Sequence, residues 1–189
     1  MKIRRPALLG LILLVLPFGQ ALADRYQDTI KVFRDAGQSA QFFDKCYGYA
    51  VFPTIGKGGI GVGAAHGSGR VFADGQYVGD TKMTQISIGL QLGGQAYSEI
   101  IFFEDKRAFD EFTNGNFEFG AQATAVAITA GASAQVGTTG AGAGASVSKN
   151  DSTTVGQYNK GMAVFTVAKG GLMYEASVGG QKFKYTPKK

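Results

Sequence analysis

The stretch GKGGIGVGAAHGSG, residues 56–69, carries seven glycines in fourteen residues, and the way it is read decides the fold. Gly56, Gly58 and Gly61 satisfy G-x-G-x-x-G after an apolar run at residues 49–55, which is the sequence form of a dinucleotide-binding turn. Such a turn needs a helix straight after the glycines, so that its first amides face a pyrophosphate, and an acid about twenty positions further on. No helix follows, because each additional glycine costs a helix roughly 1 kcal/mol relative to alanine. Instead Gly59, Gly61, Gly63 and Ala65 fall on one side of a period-two pattern while Ile60, Val62 and Ala64 fall on the other. That is a strand signal, and the strand has one bare face.

The same pattern returns at residues 120–149, where Ala121, Ala123, Ala125 and Ala127 alternate with Gln122, Thr124, Val126 and Ile128. Two stripped faces predict layers that approach more closely than the usual ~10 Å between packed sheets, with glycine admitting the neighbouring backbone. Residues 140–148 (GAGAGASVS) either extend this strand or form a hairpin. Asp74-Gly75 is a two-residue hairpin signal, since both central positions tolerate positive φ. Alternating or apolar runs at 85–91, 97–103, 162–167, 172–178 and 181–185 supply further strands, the last three joined at Gly170-Gly171 and Gly179-Gly180, and Gly67-Ser68-Gly69 reads as a turn. Helices are predicted at 25–36, with Tyr26, Ile30 and Phe33 at i, i+4 and i+7 packing on the domain, and at 104–113, with Glu104-Asp105 as its cap. Ser39 is expected to cap a second short helix. Strands do not alternate with helices in the βαβ manner, so the fold class is α+β: a mainly antiparallel sheet or barrel-like body, short N-terminal helices and one mid-chain helix.

The first 23 residues read as a secretory signal: Lys2, Arg4 and Arg5, an apolar core at 7–18, and Ala21-Leu22-Ala23 as a small-x-small cleavage site. The core falls short of the ~20 residues a spanning helix needs, and Asp24 follows the cut where a lipoprotein would carry cysteine. A single domain is expected at 24–189, released and soluble in the periplasm or peripheral on the envelope membrane. Export removes three of the 19 basic residues and leaves 16 against 14 acids, a net charge near +2 that gives no pull toward nucleic acid. Cys46 stands alone, without a disulfide partner, among Phe42, Phe43 and Tyr47, and reads as a packed thiol.

Catalytic chemistry is sparse. His66 is the single histidine, with no second ligand at metal spacing, and no G-x-S-x-G elbow is present. A hydrolase would have to combine Ser68 or Cys46 with His66. The expectation is no catalytic residues, no metal and no cofactor.

An ordered series of landmarks runs along the chain. Ala50-Val51-Phe52-Pro53 leads into Gly58-Gly59-Ile60-Gly61-Val62-Gly63, then Gly67-Ser68-Gly69-Arg70-Val71 and Ser87-Ile88-Gly89-Leu90-Gln91-Leu92-Gly93. Ala108-Phe109-Asp110-Glu111-Phe112, Gly120-Ala121-Gln122-Ala123 and Lys169-Gly170-Gly171-Leu172 continue it. The series resembles the SYLF domain, a lipid-binding family, over residues 25–187. The tryptophan-serine-x-proline segment of eukaryotic relatives is absent. The resemblance implies a mainly β domain that binds phospholipid headgroups at membranes, and in eukaryotic relatives phosphoinositides and actin. Actin is not expected in the compartment this chain would reach.

The expected function is a non-enzymatic phospholipid-binding module of the bacterial envelope, with anionic or other phospholipids and the membrane surface as partners. Candidate headgroup cations are Lys57 and Arg70 around the glycine ladder, Lys169, and Lys182 and Lys184 on one face of the last strand with Phe183 and Tyr185 on the other. Each surface cation adds about 1 kcal/mol of attraction to anionic lipid. An envelope structural protein or small outer-membrane barrel is the alternative, though the chain ends in Thr186-Pro187-Lys188-Lys189, without the outward apolar band such barrels carry.

Overall fold

The computed structural model describes residues 18–115, 117–119, 126–128 and 158–189. The apolar core of the signal and most of the second small-residue stretch, residues 140–148 included, lie outside these.

Three long strands dominate: β1 (Gly48–Ala73), β2 (Gln76–Phe103) and β5 (Met162–Pro187). Two short ones, β3 (Phe117–Phe119) and β4 (Val126–Ile128), accompany them. The sheet order is β1-β2-β5-β3, with β4 also on β5. All pairs are antiparallel except β4 with β5. Asp74 and Gly75, both at positive φ, turn β1 into β2, as the dipeptide predicts.

A strand advances about 3.3 Å per residue, so Ile55 and Gly67 would stand ~40 Å apart if β1 ran straight. They touch. A Cβ on Gly67 would lie 2.5 Å from Ile55 Cγ1, and one on Gly69 2.6 Å from the Phe52 ring. The strand therefore doubles back between these positions, through irregular pairing at Phe52/Ile55 and Ile60/Val62 and through Gly61, which has φ +69°. β2 bends alongside at Gly89 and Gly93, both with positive φ. The bare face of β1 turns inward from Gly63 on: Gly63, Ala65, Gly67 and Gly69 are buried, the last two against Ile55 and Phe52 of the strand's own first half, while Gly59 is half-buried and Gly61 exposed at the bend.

This geometry corrects three sequence expectations. Gly67-Ser68-Gly69 is not a turn but the middle of β1; its glycines are there to admit Phe52 and Ile55. Gly170-Gly171 and Gly179-Gly180 likewise do not separate strands, and β5 runs through both pairs. Ser39 does not cap a second helix. It lies inside α2 (Gly37–Ala40) and donates its hydroxyl to the Phe33 carbonyl at 2.5 Å, closing the end of α1 (Phe18–Asp35). That helix begins seven residues before its predicted start, within the signal's last residues.

Two apolar clusters hold the body together. Inside the fold, Phe52, Met83, Phe103, Phe112 and Phe183 are fully buried, and rings of Phe112 and Phe183 meet at 5.2 Å. α3 (Lys106–Thr113) contributes Ala108 and Phe112; the Asp105 carboxylate accepts from the Ala108 amide at 2.8 Å and caps it. On the outer face, Ile30 and Phe33 of α1 pack with Phe42, Val51, Phe102 and Phe165. Burial of the Ile30 and Phe33 stripe confirms that α1 packs against the sheet. No helix among the described residues is long and apolar enough to cross a membrane.

Candidate functional site: an open sheet face graded from lysine to aliphatic

Strand register sorts the outward side chains of β1, β2 and β5 into rows. Ser68 pairs with Lys82 and Lys82 with Lys184; His66 pairs with Thr84 and Thr84 with Lys182. The next row holds Ala64 and Ile86, opposite Gly180, and the one beyond holds Val62 and Ile88, opposite Val178. Past the bend Ile60 pairs with Leu92. The Lys82, Lys182 and Lys184 side chains are exposed, as are those of His66 and Ser68. Ile60, Val62, Ile86, Ile88 and Leu92 are between 57% and 80% exposed. Period-two alternation fixes this division: because Gly63, Ala65, Thr81, Met83 and Ser87 turn inward, the lysines and the aliphatics share the outside.

The five predicted headgroup cations do not converge. Lys182 and Lys184 stand on this face, and Phe183 between them is fully buried, as alternation requires. Lys182 lies 3.9 Å from Glu118, with both side chains more than half exposed, so that pair contributes little. Lys57 lies half-buried in the bend, paired with Gln95. Lys169 is occupied in the scaffold, donating to the Pro53 carbonyl at 2.8 Å and to Thr54 Oγ1 at 3.3 Å. Arg70 is held between aromatic rings: its guanidinium carbon is 4.4 Å from the Tyr26 ring of α1 and 4.9 Å from that of Tyr77, with Asp80 at 3.9 Å. Burial raises the Tyr26 hydroxyl above its ordinary range, against the opposing pull of Arg70, so the ring stays neutral beneath the guanidinium.

Arg70 thus fastens α1 to the sheet. Arg70→Ala is expected to lower stability by about 1–2 kcal/mol, the loss of two partly desolvated cation–π contacts, read as a lower thermal midpoint. An unchanged midpoint would show that Ile30 and Phe33 hold the helix alone.

Sequence reading missed Lys82, because its strand had been broken into shorter runs; once β2 is continuous, the register sets Lys82 beside Lys184. It also gave no side to the aliphatics of residues 60–92. The signal was present in the alternation itself, since a strand pair whose inward positions are Gly, Ala and Ser has only its large side chains left to face out.

The catalytic alternatives find no geometry. His66 and Ser68 sit two residues apart on the open face, about 7 Å between Cα atoms, and no hydrogen bond joins them among the described residues. Cys46 belongs to the helix-side cluster, and burial pushes its thiol up to about 11, which leaves little thiolate at neutral pH. Among the described residues no three His, Cys, Asp or Glu side chains gather as a metal site.

Comparison with known proteins identifies the family of the chain. Residues 84–187, more than half of the chain, match the model of the Ysc84 family, described as Las17-binding protein actin regulator. Beta cell expansion factor A of Aeromonas veronii is 29% identical over 156 residues, which make up 82% of this chain and 51% of that protein. The chain therefore spans about half the length of this curated relative. No solved structure matches. With a family match over more than half of the chain, the chain belongs to the Ysc84 family of SYLF-domain proteins, a binding-domain family associated with lipids and actin regulation.

Proposed function

We propose that this chain is a non-enzymatic phospholipid-binding module of the bacterial cell envelope, carried into the periplasm by its first 23 residues and docking on anionic membrane lipid. The observation that carries the reading is the row of Lys82 and Lys184, with Lys182 one row on, all exposed on one sheet face. Membership in a lipid-associated family supports it. Three ammonium groups on one surface add about 1 kcal/mol each against an anionic leaflet, and their attraction is screened by salt. Export takes the chain away from actin, so actin regulation is left to the relatives.

The test is co-sedimentation with phosphatidylglycerol vesicles. The full chain is expected to pellet at low salt and less at high salt. The triple variant Lys82→Ala, Lys182→Ala, Lys184→Ala is expected to bind roughly a hundredfold more weakly, as about 3 kcal/mol of attraction predicts. Equal binding to neutral phosphatidylcholine, or none to either lipid, would contradict the reading. Release by osmotic shock tests the compartment.

A further inference from the structure

We infer that the doubled-back corner of the sheet, presenting Ile60, Val62, Ile86, Ile88 and Leu92, is the element that enters the acyl layer of an anionic bilayer, with Lys82, Lys182 and Lys184 left at the headgroups. The inference rests on the lipid-binding reading and adds to it a depth and an orientation.

Five large aliphatic side chains at 57% to 80% exposure form the apolar part of the outer face, and a contiguous patch of this kind on a soluble protein marks a contact surface. Among the described residues nothing covers them, and the inward positions beside them, Gly63, Ala65 and Ser87, are already buried. The corner is also a bend within paired strands. Gly61, Gly89 and Gly93 hold positive φ, conformations that let the strands fold over without a loop, so the aliphatics stand on hydrogen-bonded strands that pair as Val62 with Ile88 and Ile60 with Leu92.

Charge complementarity names the occupant. From the Lys82–Lys184 row to the Ile88 row is six residues along β2, about 20 Å; from the Thr84–Lys182 row it is about 13 Å. The headgroup zone of a bilayer is about 5–8 Å thick on each side, and lysine stems reach back along an apolar surface to keep their ammonium groups wet. A corner whose Ile88 row lies about 5–10 Å below the phosphates leaves the Lys182 row about 3–8 Å above them and the Lys82–Lys184 row about 10–15 Å above, so Lys182 reaches the phosphates with its stem and the other two ammonium groups act on them within about a Debye length. The rows that carry them hold Ser68, His66 and Thr84 besides, and Glu118 of β3 pairs with Lys182, so the border sets three ammonium groups against one carboxylate. An anionic surface is what such a border fits.

The chain contains no tryptophan, so a single introduced indole reports its own position. Ile88→Trp and Leu92→Trp place it at the corner. Tyr77→Trp places it at the opposite end of the same face, against Arg70. Each variant is mixed with vesicles of equal phosphatidylglycerol and phosphatidylcholine bearing bromine on the acyl chains, after its thermal midpoint has been matched to the parent. The corner indoles are expected to shift to the blue and lose most of their emission on binding, while that at position 77 keeps its own. Pelleting without quenching at 88 and 92 would overturn the insertion and leave lipid binding standing. Failure to pellet would overturn both. A lipid-free dimer by sedimentation, with the corner indoles already shielded, would overturn it by assigning the face to a second copy. Ile60→Asp with Ile88→Asp, both exposed and tolerant of a polar side chain, is expected to weaken vesicle binding roughly a hundredfold; unchanged affinity would again refute the insertion.

Discussion

Gly69→Val is expected to cost the protein about 3 kcal/mol or more and to lower its thermal midpoint by about 6–12 °C. A Cβ at this position would meet the Phe52 ring at 2.6 and 2.7 Å and the Val51 carbonyl oxygen at 2.8 Å. Phe52 is fully buried against Phe183, so the ring has nowhere to move, and the carbonyl belongs to the opposing backbone. Domains are stable by only about 5–15 kcal/mol, which makes one such substitution a large fraction of the whole. Gly56→Ala is the control: it lies in the same strand with open space around its added methyl and is expected to change stability by less than about 0.5 kcal/mol. Equal midpoints for the two variants, measured by circular dichroism, would deny that the strand packs on itself.

Glu99 gives the second large effect, a stability that falls as pH rises. Its carboxyl is fully buried on β2; one oxygen accepts from Gln181 Nε2 at 3.3 Å, and the other has no partner among the described residues. Burial pushes the group up to about 7 from an ordinary 4.5, only partly opposed by the Gln181 hydrogen bond. Below about pH 4.5 the group is protonated whether the chain is folded or not, and contributes nothing to pH dependence. Between 4.5 and 7 the unfolded chain gives up this proton and the folded one keeps it, so stability declines through that window. Above 7 the loss is complete, about 3 kcal/mol. Glu99→Gln removes the titration: denaturant midpoints for the variant are expected to exceed the parent's at pH 8 and to converge with them near pH 4.5. A parent whose stability instead rises between those values, or a variant with the same slope, would contradict the assignment.

How far the sequence carried the fold depends on which force acts at each position. Alternation identified residues 59–65 as extended and set Lys182 and Lys184 on the face opposite Phe183 and Tyr185, because period-two geometry is local to the strand. Asp74-Gly75 and Asp105 were legible for the same reason: a positive φ and a cap are decided by one or two residues. The doubling-back of β1 was not legible, because it depends on Ile55 and Phe52 reaching Gly67 and Gly69 across the fold. Glycine pairs signal equally a turn between strands and a bend within one, and Gly170-Gly171 and Gly179-Gly180 resolve only when β2 is laid beside them. Lys169 and Arg70 show the same limit at the candidate site. Their charge suggested headgroups, but the Pro53 carbonyl, far from Lys169 in sequence, and the rings of Tyr26 and Tyr77, one from α1 and one from across the hairpin, engage them instead.

The doubled-back strand underlies every placement above, from the bare inner seam to the aliphatic corner, and one distance measures it. Spin labels at Thr54 and Ser68, both exposed, are introduced as cysteines in a Cys46→Ser background and their separation is read by double electron–electron resonance. The Thr54 carbonyl lies 3.2 Å from where a Gly67 Cβ would stand, so the labels are expected within about 20 Å, two sheet layers plus the label arms. A separation near 45 Å, the span of fourteen residues in a straight strand, would contradict the fold and with it the corner on which the proposed membrane docking rests.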